Sequence, residues 1–400
     1  MRQGFRKNVR LGDALDEFLP LFGAVDSETL RLDDAKGRVV GSSVVAERPV
    51  PHYDRAAMDG YAVRAEDTHG ASEASPVSLE AVDRDGNVDN GEAAYVHTGS
   101  AVPEGADAVV RVEETEEVGE SIEVSVAVSE GNNVAYTGED VEEGETVVEE
   151  GVRLLPSRLG VLRSVGVEEV EVRRKPNVSV VPTGDEVVEC DPAPGEVVGT
   201  NGPMVAEYVE RWGGEPSVSD VIPDDEDALR EAVSEAATDA DLVATTGGSS
   251  VGERDLLPEV IDEMGEMLVH GVAVKPGHPV GFGVVDETPV VMLPGYPVSC
   301  VVNSFEFVRR GVRTLLNVEE TPEPAVRCAL EEKIPSEVGA RTYTRVVVEK
   351  NGDGRTARPV RTKGAGVLSS VADADGFVVA PESREGYAEG EKVDVLLWEA

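Results

Sequence analysis

VVPTGDEV at residues 180–187, VATTGGSSVGERD at 243–255 and VMLPGYPVS at 291–299 are built on one plan. Each starts as a short run rich in valine or other apolar residues and then breaks at a glycine. Hydroxyl or carboxylate side chains follow, and a helix candidate comes next. Glycine lets backbone amides approach an anion closely, Ser and Thr add donors, and a helix N-terminus favours negative charge. A phosphate group fits such turns. VAVKPGHP at 272–279 adds Lys275, a compact cation suited to an oxyanion. Asp185, Glu186 and Asp255 would repel a bare phosphate, so their place beside these amides suggests Mg²⁺ bridging carboxylate and phosphate oxygens. One such turn alone is more often structural, whereas four in one sheet topology shift the balance towards a site.

Working outward, strand candidates NVSVVPTG, SVSDVIP, DLVATTGG and the run around PVVMLPG alternate with helix candidates. The helix candidates are NGPMVAEYVERWGG, DEDALREAVSEAA, the stretch 255–264 and PVSCVVNSFEFVRRG. That βαβα order predicts a parallel sheet covered on both faces, with ligands at the carboxyl ends of its strands. The charged RRKPN at 173–177 marks its start. Before it, VRLGDALDEFLPLF at 9–22 has the spacing of an amphipathic packing helix. A second helix is expected from a Ser27 cap to about Gly37, and SRLGVLRSVG at 157–166 is again helical. Between 43 and 150, short alternating runs broken by Gly, Asn and Pro read as a β-rich module, and after about Pro322 the chain returns to strand and turn, as a small barrel or sandwich. There is no internal repeat or low-complexity tract.

Three stretches of the β-rich region stand out. HYDRAAMDGYAV at 52–63 carries Asp59, TGSAVPEGADAVVRVE at 98–113 begins at Thr98, and GNNVAYTGEDV at 131–141 presents Glu139 and Asp140. Taken singly, each reads best as a hairpin turn.

Composition narrows the function. Across 400 residues, 79 acidic against 36 basic side chains give a net charge of −43, which repels nucleic acid and anionic membranes. With 40% apolar residues spread along its length, the chain should fold rather than behave as an acidic disordered tail. Such a charge is tolerable where salt screens it, which points to a salt-loving host with a saline cytosol. Cys190, Cys300 and Cys328 are odd in number and far apart, so a disulfide framework is not expected. The start MRQGFRKNVR lacks the apolar core of a signal peptide, and no apolar run reaches membrane length, so the expected location is cytoplasmic. The five histidines show no HxxxH or HExxH spacing for zinc.

MDGYAV, TGSAVPEGADAVV, GEDV, TGDEV, TTGGSSVGERD, KPGHPVGFG and LPGYPVS together resemble the molybdopterin molybdenumtransferase family, the MoeA proteins and the related E domain of gephyrin. The motifs stand in the family's order and approximate spacing, over nearly the whole chain. GARTYTR and GAGVLSSVADADGF resemble the family's last domain. The resemblance, together with the acidity, suggests a halophilic archaeal source.

The resemblance implies a multidomain α/β plus β fold. An elongated N-terminal scaffold would comprise 1–43 and 147–175, with an inserted β-rich domain at 44–146. A MogA-like α/β molybdopterin-binding domain would follow at 176–321, and a C-terminal β-barrel at 322–400. It implies a homodimer whose site is shared between the α/β domain of one subunit and the inserted domain of the other. The implied reaction takes adenylylated molybdopterin and molybdate, inserts the metal at the dithiolene sulfurs and releases AMP, with Mg²⁺. Further proteins of molybdenum cofactor biosynthesis are partners it allows. Cleaving a phosphoanhydride needs charge neutralised on non-bridging oxygens and little covalent help, which suits these residues.

Carried over position by position, Thr183, Gly184, Asp185 and Glu186 would line the nucleotide and Mg²⁺ region, with Asp255 as a further Mg²⁺ ligand. Gly247, Gly248, Ser249 and Asp255 would hold phosphate or pterin, beside Pro294 and Gly295. Lys275, His278 and Ser299, with Arg345, Ser369 and Ser370, would form the molybdate and terminal phosphate pocket. Asp59, Thr98 and Asp140 would reach in from the partner subunit. Asp59, Asp140, Glu186, Asp255 and Lys275 are the expected catalytic set. Three positions depart from the family: His278 replaces a lysine, Tyr296 an asparagine and Ala135 an arginine. They mark either an altered oxyanion preference, tungstate for example, or lineage drift, with drift favoured. Two other activities stay open, adenylylation of molybdopterin of the MogA type and a non-catalytic gephyrin-like scaffold. The extra domains weigh against the first and the carboxylate and lysine constellation against the second.

Overall fold

The computed structural model describes residues 8–83, 86–247, 256–319, 322–352, 354–360, 364 and 366–398. The chain divides into two compact units, one of residues 1–28 with 173–400 and one of residues 29–172.

The first unit contains a six-stranded sheet in the order Glu215–Val218, Asn177–Pro182, Leu242–Thr246, Thr288–Leu293, Gly281–Val285, Gly265–His270. The first four strands run parallel, as βαβ crossovers require. The sheet is nevertheless mixed rather than parallel throughout: Gly281–Val285 is antiparallel to both its neighbours, and Gly265–His270 beyond it runs in the direction of the first four. The cause is local. Asp286 and Glu287 both hold positive φ, 48° and 70°, and join Val285 to Thr288 through a two-residue hairpin. Such turns usually carry Asn-Gly or Asp-Gly, so DE gave no sequence signal.

Helices cover both faces. Glu226–Asp239 is capped by the Asp225 carboxylate, which accepts from the Ala228 amide at 3.0 Å. Its Leu229 and Val233 pack with Ile261 of helix Leu257–Met264 against Val243, Val290 and Met292 of the sheet. On the other side the N-terminal helix Leu11–Phe18 buries Phe18 edge-on to Phe282 at 5.0 Å and Phe307 at 5.3 Å. Helix Asn201–Trp212 ends where Gly213 takes φ 102° and its amide returns to Val209 and Glu210.

The same unit holds a closed five-stranded barrel. The order Arg341–Asn351, Gly354–Pro359, Ala325–Leu330, Lys392–Leu396, Gly376–Ala380 closes because Gly376–Ala380 also pairs with Arg341–Asn351. Cys328, Leu330, Val346, Val378 and Val395 fill it. The short strand Val274–Lys275 pairs in parallel with the start of Arg341–Asn351, with Val274 opposite Arg341 and Lys275 opposite Thr342.

The second unit is centred on another six-stranded sheet, ordered Ala108–Arg111, Gly60–Val63, Glu92–Val96, Val77–Val82, Ser121–Val124, Thr115–Val118. A separate apolar cluster gathers Leu32, Leu154, Leu162, Val165 and Val170 around helix Pro156–Ser164. The helix expected after Ser27 is absent: Ser27–Arg31 is a strand, and only a single 3-10 turn, Leu32–Asp34, follows. Pairing with Glu169–Arg173, about 140 residues later, satisfies its backbone, a non-local partner that propensity cannot foresee.

Candidate functional site

Parallel register brings three turns to one end of the first unit's sheet. Pro182 lies opposite Thr246, and Thr246 opposite Leu293, so Thr183, Gly247 and Pro294–Gly295 leave their strands side by side. The turns interlock. The Thr183 amide donates to Thr246 O at 2.9 Å, and the Gly247 amide to Leu293 O at 3.3 Å. A Cβ on Gly247 would stand 2.0 Å from Thr183 O, and one on Gly295 3.5 Å from the Cα of Gly247. Gly184 and Gly247 take φ of 130° and 116°, which disfavours other residues there. The cradle's floor carries unused polarity. Thr183 is 1% exposed, and among the described residues its Oγ1 has no hydrogen-bond partner. A buried hydroxyl left this way costs free energy unless a ligand or water meets it.

Asn201 is a residue the sequence reading missed. It opens helix Asn201–Trp212, and its Nδ2 donates to Gly295 O at 2.8 Å, while its Oδ1 is buried and unpaired among the described residues. Asn-Gly after a loop gives no signal that distinguishes it from an ordinary helix start.

Asp185 and Glu186 are exposed beside this cradle. Asp185 Oδ1 accepts from the Asp224 amide at 3.1 Å, and the Glu186 carboxylate lies over Gly184, where a Cβ would be 2.8 Å from Oε2. Two exposed carboxylates beside one another are donors of the kind Mg²⁺ takes when waters or ligand oxygens fill the rest of its shell. Among the described residues no group of three or more His, Cys, Asp or Glu is placed to hold a metal without such help. Gly248, Ser249 and Asp255 lie outside the described residues.

The loop that follows Lys275 is tied to the helix bearing Ser299 through Asn303. This fully buried amide donates from Nδ2 to Gly277 O at 3.1 Å and to Ser299 O at 2.8 Å. It thereby ties the loop after Lys275, including the cis Lys275–Pro276 bond, to helix Pro297–Asn303. Lys275 Nζ is ion-paired with Glu337 of the barrel. His278 is exposed, and its ring lies against Gly271, where a Cβ would be 3.1 Å from Cε1. Tyr296 is 66% exposed, with Gly366 close to its ring. In the barrel, Arg345 donates to Ser370 Oγ, which in turn donates to Val367 O. Burial pulls the Arg345 guanidinium below its ordinary range. Ser370 is buried and Ser369 exposed. Thus the sequence-predicted residues of this unit fall into a strand-end cradle, a Lys275–Ser299 loop and an Arg345–Ser370 pair.

In the second unit the three singled-out stretches meet. Asp59 Oδ1 accepts both the amide and the hydroxyl of Thr98, at 2.6 and 2.9 Å. The Thr98 amide, then its hydroxyl, hold the Asp59 carboxyl below the usual carboxylate range. Asp54 Oδ1 accepts in the same way from Thr137, at 2.8 Å from N and 2.7 Å from Oγ1. Asp140 is exposed, and its amide donates to Val50 O at 2.9 Å. Ala135, where a cation was expected, faces Arg55 across the antiparallel pair Arg55–Ala56 with Val134–Ala135, so a cation remains on that ladder.

Family comparison covers the chain in three segments. Residues 9–166 match the MoeA N-terminal region (domains I and II), 179–314 a probable molybdopterin binding domain, and 327–398 the MoeA C-terminal region (domain IV). The chain is 36% identical over 374 residues to a Methanocaldococcus jannaschii protein named for molybdopterin biosynthesis, covering 91% of this chain and 90% of that one. It is 33% identical over 387 residues to the molybdopterin molybdenumtransferase of Bacillus subtilis, covering 93% and 90%. Among solved structures, a molybdopterin biosynthesis moeA protein from Pyrococcus horikoshii OT3 superposes with TM-score 0.87 at 34% identity, over 98% of this chain and all of that one.

Proposed function

The chain belongs to the MoeA family, and from that premise we propose that it is a molybdopterin molybdenumtransferase that inserts molybdate into adenylylated molybdopterin in molybdenum cofactor biosynthesis. The observation that carries this reading is the strand-end cradle of Thr183, Gly247 and Gly295, with a buried hydroxyl that lacks a partner among the described residues. Its unpaired Thr183 hydroxyl suits a phosphate oxygen, and Lys275 and the Arg345–Ser370 pair suit an oxyanion.

The finer reading follows the chemistry. Asp185, Glu186 and Asp255 would hold Mg²⁺, which when bound neutralises charge on the phosphoanhydride as AMP leaves. Gly184, Gly247, Gly248 and Ser249 would hold the pterin and nucleotide phosphates, with Pro294, Gly295 and Ser299 beside them. Lys275, Arg345, Ser369 and Ser370 would receive molybdate, with His278 on the substrate phosphate. The working form would be a homodimer of four-domain subunits, with Asp59, Thr98 and Asp140 completing the site of the other copy.

Incubation with adenylylated molybdopterin, molybdate and Mg²⁺, with AMP followed by chromatography, tests the reaction. AMP release independent of molybdate would count against it; no AMP release, with pyrophosphate formed from ATP and molybdopterin instead, would favour adenylyltransfer, and neither product would favour a scaffold. Sedimentation at working salt tests the dimer.

A further inference from the structure

We propose that Asp54 is a positioning residue that sets the turn bearing Asp140, acting through Thr137; this rests on the reading of Asp140 as a site residue. The structure contains the same clamp twice. Asp59 holds Thr98, and Asp54 holds Thr137, each through one carboxylate oxygen that takes both an amide and a hydroxyl. In both, the threonine precedes a glycine in the left-handed region, Gly99 at φ 83° and Gly138 at φ 77°. A glycine there makes the turn easy to form and equally easy to lose, so the clamp before it decides where the following residues point.

Segment 54–59 runs between the two turns and is bonded to both. The Gly99 amide donates to Ala56 O at 2.8 Å and the Ala57 amide to Asn133 O at 2.8 Å. Arg55 bridges Ala101 on one side and pairs with Ala135 on the other. Beyond Thr137, backbone bonds pin the chain again, Gly138 to Pro51 O at 2.9 Å and Asp140 to Val50 O at 2.9 Å. The Asp54 carboxylate therefore fixes the entrance of a four-residue turn whose exit the backbone already fixes, and Asp140 stands at that exit. Asp54 and Thr137 are both exposed and 83 residues apart, so the contact joins two surface segments and contributes little packing. Like Asp59, it lies within the cluster formed by the three sequence stretches, but no reading of the sequence separated it from its neighbours.

The clamp needs an acceptor, not a charge. Asparagine keeps an acceptor at Oδ1 and alanine does not, so the two substitutions distinguish positioning from direct electrostatic action. The experiment measures kcat and KM for molybdate-dependent AMP release, with Tm, for Asp54→Ala, Asp54→Asn, Thr137→Val and Asp140→Ala. Losing both hydrogen bonds in Asp54→Ala should lower kcat about tenfold with KM within about twofold, and losing one in Thr137→Val about threefold, as hydrogen bonds of ordinary strength predict. Asp54→Asn should keep at least half the wild-type kcat, and every Tm should stay near wild type. Equal losses in Asp54→Asn and Asp54→Ala, or wild-type kcat in Asp54→Ala while Asp140→Ala is inactive, would overturn the proposal. Full activity in Asp140→Ala would overturn the reading of Asp140 instead. Should Asp54→Ala fail to fold, Thr137→Val still decides, because it removes only the hydroxyl at constant volume, and wild-type kcat there would count against the clamp.

Discussion

The main chain of Gly247 passes so close to Thr183 that a Cβ on Gly247 would stand 2.0 Å from the Thr183 carbonyl oxygen. Two strand ends are thereby sealed together at the centre of the cradle, and φ of 116° at Gly247 adds a second barrier to any side chain. Gly247→Ala should cost roughly 3 kcal/mol or more, the range for combined steric and backbone strain, and should abolish AMP binding. Gly23→Ala, where a Cβ meets nothing within 4 Å, should change stability by about 0.5 kcal/mol or less. Urea unfolding of both variants checks the contrast, and similar midpoints would refute it.

Lys275 is paired to Glu337, and this carboxylate competes with any oxyanion for the same ammonium. Both side chains are substantially solvated, 43% and 75% exposed, so the pair is weak and readily exchanged. Glu337→Gln should therefore lower the molybdate KM by up to about fivefold, equivalent to about 1 kcal/mol, without changing Tm appreciably. Lys275→Ala should raise it. A Glu337→Gln enzyme with unchanged KM would show that the pair does not gate the site.

Much of this was legible in sequence because the relevant signals are local. Valine runs ending in Thr-Gly, Gly-Gly and Pro-Gly located Asn177–Pro182, Leu242–Thr246 and Thr288–Leu293, and register then fixed their turns side by side. What escaped depends on distant partners. The strand Ser27–Arg31 exists through pairing with Glu169–Arg173, the reversed strand Gly281–Val285 through positive φ at Asp286 and Glu287, and the Asn201–Gly295 and Asp54–Thr137 contacts through segments more than 80 residues apart. Composition and periodicity carry no information on such pairs.

The Thr98 clamp keeps Asp59 ionised to a pH below the ordinary carboxylate range. Its folded pKa lies below the ordinary 3.8, so the stabilisation is fully present above that value and is lost only as pH falls through the lower folded pKa. Activity between pH 5 and 8 should show no step from Asp59, and Thr98→Val should move the Asp59 carboxyl titration upward, read by NMR of ¹³C-labelled aspartate. Asp59→Asn keeps the acceptor for Thr98 but removes the charge, so it should fold normally and lose molybdenum insertion. Retained activity would remove the charge of Asp59 from the chemistry.

A net charge of −43 should make stability strongly dependent on salt. Only 36 basic residues are available to 79 acidic ones, so pairs such as Arg327–Asp394 at 2.8 Å leave most carboxylates facing one another across solvent. At 0.1 M salt the screening length is about 10 Å, long enough for neighbouring carboxylates to repel, whereas at 1 M it is about 3 Å. Raising KCl from 0.1 to 2 M should then increase Tm by a few degrees, on the order of 2 to 4 °C if screening restores about 2 to 3 kcal/mol in a chain of 400 residues. Surface ion pairs weaken in the same solution, but there are too few of them to reverse the sign. If screening is the cause, NaCl and KCl at equal ionic strength should act alike, while an uncharged osmolyte that strengthens burial should not reproduce the curve's saturation near 1 M. A Tm independent of salt would mean that the acidic surface is neutralised by some other route.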